Sequence, residues 1–303
     1  MRIGYPCINR SIGCTPSSTF RLASYSPERL KATVEKNLTC LRNILRFNRE
    51  AGLLFFRISS DMVPFASHPV CTFPWQERFG KTLSEIGLFI RKNRFRISMH
   101  PDQFVLLNSP REDVIERSID ELRYHAEFLD LMGLDTTAKI QLHVGGIYND
   151  KSASLERFVT RYDLLDDSIR RRLVIENDEK LYSVTDCLGL YERTGIAVLL
   201  DTFHHSLNNT GEHIPDLLAP VRKSWKEKDG IPMVDYSSQQ AGKRAGAHAG
   251  HINKEDFLSF LAETGTADFD VMLEIKDKEA SAKTALVLAR DDPRLVVRPG
   301  DPG

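Results

Sequence analysis

Short runs of aliphatic and β-branched residues recur along the chain at near-regular intervals, separated by longer stretches whose apolar positions repeat at helical spacing. Eight runs have strand length: RIGYPCI at 2–8, LLFFRIS at 53–59, FRISMH at 95–100, KIQLHV at 139–144, LVIEN at 173–177, AVLLD at 197–201, PMVDY at 232–236 and VMLEI at 271–275. Helix starts are readable at Ser26-Pro27-Glu28 and at Ser109-Pro110-Arg111-Glu112, and Gly52, Gly133 and Gly195 stand as helix stops. The spacing is roughly 38 residues per unit, room for a strand and the crossover helix that parallel pairing needs. Eight such units predict one α/β domain, a closed (β/α)8 TIM barrel over 1–290, with a frayed tail over 291–303. The connection after Ser59, with Pro64, His68, Pro69 and Pro74, predicts an ordered loop over one end. An open, doubly wound sheet is the alternative, but no βα turn carries a Gly-rich nucleotide-binding pattern.

In such a barrel the C-terminal strand ends converge on one site. Those ends carry Asn9, Ser59 with Ser60, His100, His143, Glu176 with Asn177, Asp201, Asp235 and Glu274. Ionisable groups there bear a desolvation cost unless opposite charge holds them together. Divalent metal ions meet that need, because His, Asp and Glu are ligands that Zn, Mn and Fe accept. With the loop residues His68, His204 and His248 the set becomes His68, His100, His143, Glu176, Asp201, His204, Asp235, His248 and Glu274. Nine candidates exceed the four to six that one ion takes, so two or three ions are expected. A single strand-end histidine is more often structural than a ligand; the joint pattern across strands is what points to metal. His125 and His213 fall on helical patterns as surface residues, and His205 and His251 are ambiguous.

Composition then narrows the class. The 303 residues are 41% hydrophobic and 27% charged, with 41 basic against 42 acidic side chains and a net charge of −1. No apolar run reaches the roughly 18 residues of a membrane span, and MRIGYPCINR has no signal-peptide core. Five scattered cysteines with no C-x-x-C pair indicate a reducing cytoplasm, with Cys7 and Cys14 as small core or loop residues. The runs RKNRFR at 91–96 and RRR at 170–172 precede strands and read as solvated charge on the face away from the site. HPDQF at 100–104 places Gln103 and Phe104 on a turn, either as an ordinary packing turn or as a wedge for a base stack. Lys276 and Lys278 could meet phosphate or simply begin a charged helix.

The motifs GYPCIN (4–9), FRISSDMVPFASH (56–68), RISMHPDQF (96–104), QLHVGG (141–146), VIENDEK (174–180), LLDTFHH (199–205), DYSSQ (235–239) and MLEIKDKE (272–279) resemble the UV damage endonucleases through nearly the whole chain. The resemblance implies a barrel similar to endonuclease IV and a cluster of up to three ions, commonly Mn2+, with Zn2+ or Mg2+ as alternatives. The implied reaction is hydrolysis of duplex DNA immediately 5′ to cyclobutane pyrimidine dimers or 6-4 photoproducts, with abasic sites often cut as well; a cytoplasmic monomer is expected. It implies His68, His100, His143, Glu176, Asp201, His204, His248 and Glu274 as ligands, with Glu176, Asp201, Glu274 and His248 carrying the catalysis. Gln103 and Phe104 match an inserting pair, Tyr5 and Asn9 match lesion-pocket residues, and Lys276 would touch DNA. Two departures stand out: Phe104 where the pair is typically Gln-Tyr, and Met233 and Asp235 where some members have a lysine and a histidine. A sugar isomerase or epimerase barrel, which also presents such ligands, is the competing reading. Two or three bound ions would add about +4 to +6 and make the loaded protein net positive where phosphate must sit.

Overall fold

The computed structural model describes residues 1–296. Eight parallel strands pair in sequence order and close on themselves: β1 Ile3–Pro6, β2 Phe55–Ile58, β3 Arg96–Met99, β4 Lys139–His143, β5 Leu173–Glu176, β6 Ala197–Asp201, β7 Met233–Tyr236 and β8 Asp270–Leu273. Each lies inside its sequence run, except that β8 begins one residue before it. Around them lie α1 Pro27–Ala51, α2 Trp75–Lys92, α3 Glu112–Leu131, α4 Lys151–Asp163, α5 Asp167–Arg170, α6 Val184–Thr194, α7 Thr202–Leu207, α8 Ile214–Ser224, α9 Lys254–Glu263 and α10 Glu279–Leu288. Helix α1 begins and ends as its residues dictate: Ser26 accepts from the Arg29 N–H, and Gly52 closes it in the left-handed conformation at φ 76°. Helix α3 starts later than expected, after Arg111, because Ser109 accepts the Arg111 N–H in a turn of its own. Among the described residues no helix is long and apolar enough to cross a membrane.

The N-terminal end of the barrel corrects the reading of the basic runs. Arg96 and Arg172 are buried, not solvated. Arg172 donates to Asp130 and to the carbonyls of Leu134, Asp135 and Ala138; Arg96 faces Asp270; and Lys139 pairs with Asp229. Each charge is offset by a partner, as burial requires. His125 is also buried, its Nδ1–H donating to the Glu121 carbonyl and its ring set edge-on to Tyr124. Its helical position gave no hint of which face it occupied. His213 is exposed, as expected.

Cys14 is disulfide-bonded to Cys40, tying the loop after β1 to α1, so the expectation of unpaired cysteines fails for these two. Their 26-residue separation carries no motif, and only the fold brings them together. Cys7, Cys71 and Cys187 are free. Of the expected tail, residues 291–296 are held in place: Arg294 donates to the carbonyls of Leu261 and Ala267, and the Val296 N–H to that of Met1. Residues 297–303 lie outside the described structure.

Candidate metal centre and nucleic-acid face

The parallel register brings the strand ends to one level, with His143 beside Glu176 and Asp201 beside Asp235. Glu176 is the hub. Its Oε1 lies 2.8 Å from His100 Nε2 and 2.9 Å from His143 Nε2. Four imidazoles form an arc around the mouth, with centroid steps of 5.2 Å from His100 to His143, 5.9 Å to His204 and 6.1 Å to His248. Three of the four donate Nδ1–H to a backbone carbonyl: His100 to Pro101 at 2.7 Å, His204 to Asn177 at 3.1 Å and His248 to Glu274 at 2.9 Å. That bond fixes the tautomer and leaves Nε2 as the electron-pair donor, the arrangement that metal-ligating histidines require.

Two overlapping groups have ligand atoms close enough to share an ion: His100, His143 and Glu176, and Glu176, Asp201 and Asp235. Asp235 Oδ1 is buried with no hydrogen-bond partner, a cost that a cation would remove. The donor set is imidazole nitrogen and carboxylate oxygen without thiolate, which suits Mn, Zn and related ions. The residues therefore fit a divalent metal centre.

The electrostatics reflect the crowding. Burial alone would lower His143, but Glu176 outweighs it and raises the imidazole to about 9. Burial acts to raise Glu176, and the facing His143 and His100 hold it well below the usual carboxylate range. At Asp201 burial prevails over His204, with Glu274 and Glu176 adding repulsion, and the carboxyl rises to about 7. Asp201 also caps α7 by accepting the His204 N–H, while Asn177 clamps the β5 and β6 ends by exchanging bonds with the Asp201 backbone.

Two central residues escaped sequence reasoning. Arg57, on β2, points into the barrel, where it donates to Glu274, to Asp235 at 2.6 Å and to Gln141 at 2.8 Å. Burial opposes its charge, but Asp235, Glu274 and Glu176 outweigh that and raise its pKa. At Glu274 burial is likewise overcome by Arg57, and the carboxyl falls to about 2. Gln141, on β4, donates to Glu176 and to Asp235 at 2.5 Å. The available signal was polarity inside otherwise apolar strand runs.

Other expected residues fall elsewhere. His68 is exposed, its Nδ1 accepting from the Val70 N–H, and it lines a cavity of about 830 Å³ with Phe104, Asp102 and Tyr124 instead of joining the cluster. His205 bonds to the Glu212 carbonyl and His251 to Asp277, so neither takes part. Gln103 and Phe104 sit on an exposed turn, with Phe104 60% exposed. Tyr5 and Asn9 are buried: Tyr5 donates to Asn48 at 2.6 Å and accepts from Asn9 at 2.8 Å, so they brace the β1 loop instead of lining an open pocket. Buried Glu279 holds that loop further by accepting from the Arg10 N–H and the Ser11 hydroxyl. Lys276 is exposed on the rim. Lys278 is half-buried at φ 56°, its pKa lowered by burial against the pull of Cys7 and Glu274, and so faces the site more than Lys276 does.

A parallel barrel that gathers imidazoles and carboxylates at its C-terminal mouth, with a protruding aromatic turn beside them, defines a barrel enzyme with a centre able to hold metal. Residues 1–293 match the model of the UV-endonuclease UvdE family, and the chain belongs to that family. It is 37% identical over 284 residues to the UV DNA damage endonuclease of Clostridium perfringens, covering 93% of this chain and 69% of that protein. A UV DNA damage endonuclease of Bacillus cereus is 31% identical, over 92% of this chain and 91% of the relative. The crystal structure of SacUVDE superposes with a TM-score of 0.93 at 48% identity, covering 97% of this chain and all of that one. Endonuclease IV from Thermus thermophilus (TM-score 0.58, 16% identity) and a D-psicose 3-epimerase from Clostridium cellulolyticum (0.55, 12%) share the fold alone.

Proposed function

We propose that this protein is a metal-dependent repair endonuclease that cuts duplex DNA immediately 5′ to UV photolesions, namely cyclobutane dimers and 6-4 photoproducts, and at abasic sites. The observation that carries the metal reading is the arc of imidazoles, three of which have Nδ1–H tied to backbone carbonyls, so that Nε2 is turned toward the carboxylate cluster, as His100 Nε2 is toward Glu176. Family membership and the relatives' names support the lesion-directed activity. The fold likeness to epimerases discriminates nothing, because endonuclease IV shares it to the same degree.

His100, His143, Glu176, Asp201, His204, Asp235, His248 and Glu274 would hold two or three divalent ions, Mn2+ first and Zn2+ or Mg2+ as alternatives, with His68 reaching in only if its loop moves. Such ions supply the Lewis acidity that activates water and neutralises charge on the reacting phosphate. The chain's own residues do the rest. Glu176, shared between both ligand groups, sets their spacing, while Asp201 and Glu274 balance charge and His248 stands at the opposite end of the arc. Gln103 and Phe104 would enter the base stack beside the site. A photolesion, already poorly stacked, costs less to extrude than a normal pair, so deformability would govern lesion choice. Lys276 and Lys278 would meet the backbone at the rim. The reading takes the enzyme to be a cytoplasmic monomer acting on damaged duplex.

The test is nicking of UV-irradiated plasmid after EDTA treatment and after Mn2+ is restored. Cutting should vanish and return, and Glu176→Gln should abolish it with the circular dichroism spectrum unchanged. Undiminished nicking without metal would sink the proposal, and turnover of a ketose instead of damaged DNA would favour the epimerase reading.

A further inference from the structure

Two neighbouring loops at the barrel mouth carry exposed aromatic rings, and buried groups tie those loops together. Phe104 stands on the loop after β3, and Tyr148, 39% exposed, on the loop after β4. The second loop makes a tight turn with Tyr148 and Asn149 at its centre, closed by the Asp150 N–H donating to the Ile147 carbonyl at 2.8 Å. Both central residues are left-handed, at φ 44° and 65°. Glycine and asparagine suit such positions; a bulky aromatic residue does not. Burial does not offset the cost, because the ring stays exposed. The turn is nonetheless held firmly. The Gly146 carbonyl accepts from Asn108 at 2.7 Å and from Tyr182 at 2.9 Å, and the Ile147 carbonyl accepts from Ser154 at 2.8 Å. A side chain at Gly145, φ 114°, would meet Asn108 Oδ1 at 2.4 Å, so the close approach needs glycine.

Arg157, on α4, links the two loops. Its Nε donates to the Asn108 carbonyl at 2.9 Å and one terminal nitrogen donates to Ser154 at 2.7 Å, while its guanidinium lies 5.6 Å from the centre of the Tyr148 ring. The ring also rests against the bare Gly146 backbone, where an added side chain would come within 3.0 Å of it. A ring packed against an arginine and a backbone cannot slip between bases as a free-standing ring can. Strain kept at an exposed residue of a braced loop, on the face that the DNA reading requires, points to a contact for which the strain is retained. We propose that Tyr148 is a second aromatic DNA contact, a fixed surface that packs against the sugar–phosphate strand flanking the lesion, with Arg157 as its positioning residue. The proposal rests on the DNA reading above. The remaining terminal nitrogen of Arg157, without a hydrogen-bond partner among the described residues, adds positive charge beside the ring, which a phosphate strand favours. Phe104 and Tyr148 would thus divide the work: one ring enters the stack, and the other holds the strand beside it.

The test is Tyr148→Asn in the full chain, because asparagine accepts the left-handed turn and removes the ring. Its urea midpoint should lie at or above that of wild type. Fluorescence anisotropy, with Ca2+ replacing the ion that supports cleavage, should show weaker binding to a photodimer duplex and to the undamaged duplex alike. The exposed 39% of the tyrosine is roughly 80 Å², which sets the loss at about 5- to 30-fold. Tyr148→Phe, which keeps the ring, should bind both duplexes within about threefold of wild type. Wild-type affinity in Tyr148→Asn would overturn the proposal. So would a loss confined to the lesion duplex, which would make Tyr148 a wedge, or a lowered urea midpoint, which would make it a structural residue. A Tyr148→Phe as weak as Tyr148→Asn would overturn it too, since the hydroxyl and not the ring would be the contact. A wild type that binds neither duplex would overturn the DNA reading as well.

Discussion

Phe104 offers the most direct test of how lesions are engaged. The ring is 60% exposed on its turn, so truncating it removes little from the packed core, and Phe104→Ala should change folding stability by less than about 0.5 kcal/mol. A phenylalanine side chain spans on the order of 200 Å², so roughly 120 Å² is free to be covered. Covering that area between bases stabilises the complex by about 3 kcal/mol at 25 cal/mol per Å², and measured stacking on aromatic side chains runs at about 1–3 kcal/mol per base. A loss of about 2–3 kcal/mol weakens binding roughly 30- to 150-fold. The assay is fluorescence anisotropy on a duplex carrying one photodimer, with Ca2+ replacing the ion that supports cleavage, and with the undamaged duplex as control. Phe104→Tyr, which keeps the face of the ring, should stay within about threefold of wild type. The reasoning fails if Phe104→Ala binds the lesion duplex as wild type does. It also fails if affinity for both duplexes drops equally, because the ring would then be a general contact and not a wedge.

Gln141→Leu removes the donor that holds Glu176 and Asp235, and should weaken Mn2+ binding by about 10- to 100-fold by titration calorimetry; unaltered affinity would deny Gln141 a positioning role. His125, buried and lowered to about 4 from 6.5, is neutral in the folded state, so its contribution is complete above pH 6.5 and is lost as pH falls toward 4. That window represents up to about 3 kcal/mol, and His125→Phe should flatten the decline of urea-unfolding stability between pH 6.5 and 4; parallel curves for the two proteins would contradict it. Reduction of Cys14–Cys40 should lower stability by up to about 3.5 kcal/mol for a 26-residue separation, read as a fall in urea midpoint with dithiothreitol. An unchanged midpoint would show that the bridge does not constrain the unfolded chain.

Much of the fold could be read from the chain because barrel strands, buried on both faces, are short and largely apolar runs, and here eight of them recur at the spacing of a strand plus a crossover helix. The ligand candidates were legible for the related reason that ionisable groups recur at the ends of several of those runs at once, although any one of them alone could be structural. His100, His143, Glu176, Asp201, His204, Asp235, His248 and Glu274 all come to the mouth. What failed has a common cause. Arg57, Gln141, Arg96 and Arg172 are long polar side chains whose burial depends on partners from distant strands, Asp235 from β7 for Arg57 and Asp130 from α3 for Arg172. Local sequence contains nothing about those partners. His68 failed differently, because its position depends on the path of a long loop, and strand register does not specify that. Tyr5 and Asn9 came from a motif match, which names a residue but not whether its side chain faces outward; the Asn48 amide on α1 decides that here.

The carbonyl anchors of His100, His204 and His248 belong to the main chain at Pro101, Asn177 and Glu274. No side-chain substitution can delete a carbonyl group. A lineage could exchange ligands around the mouth, and the surviving imidazoles would still present the same nitrogen inward. Their protonation pattern is inherited with the backbone path, so the tautomers are safer against mutational drift than the identities of the ligands.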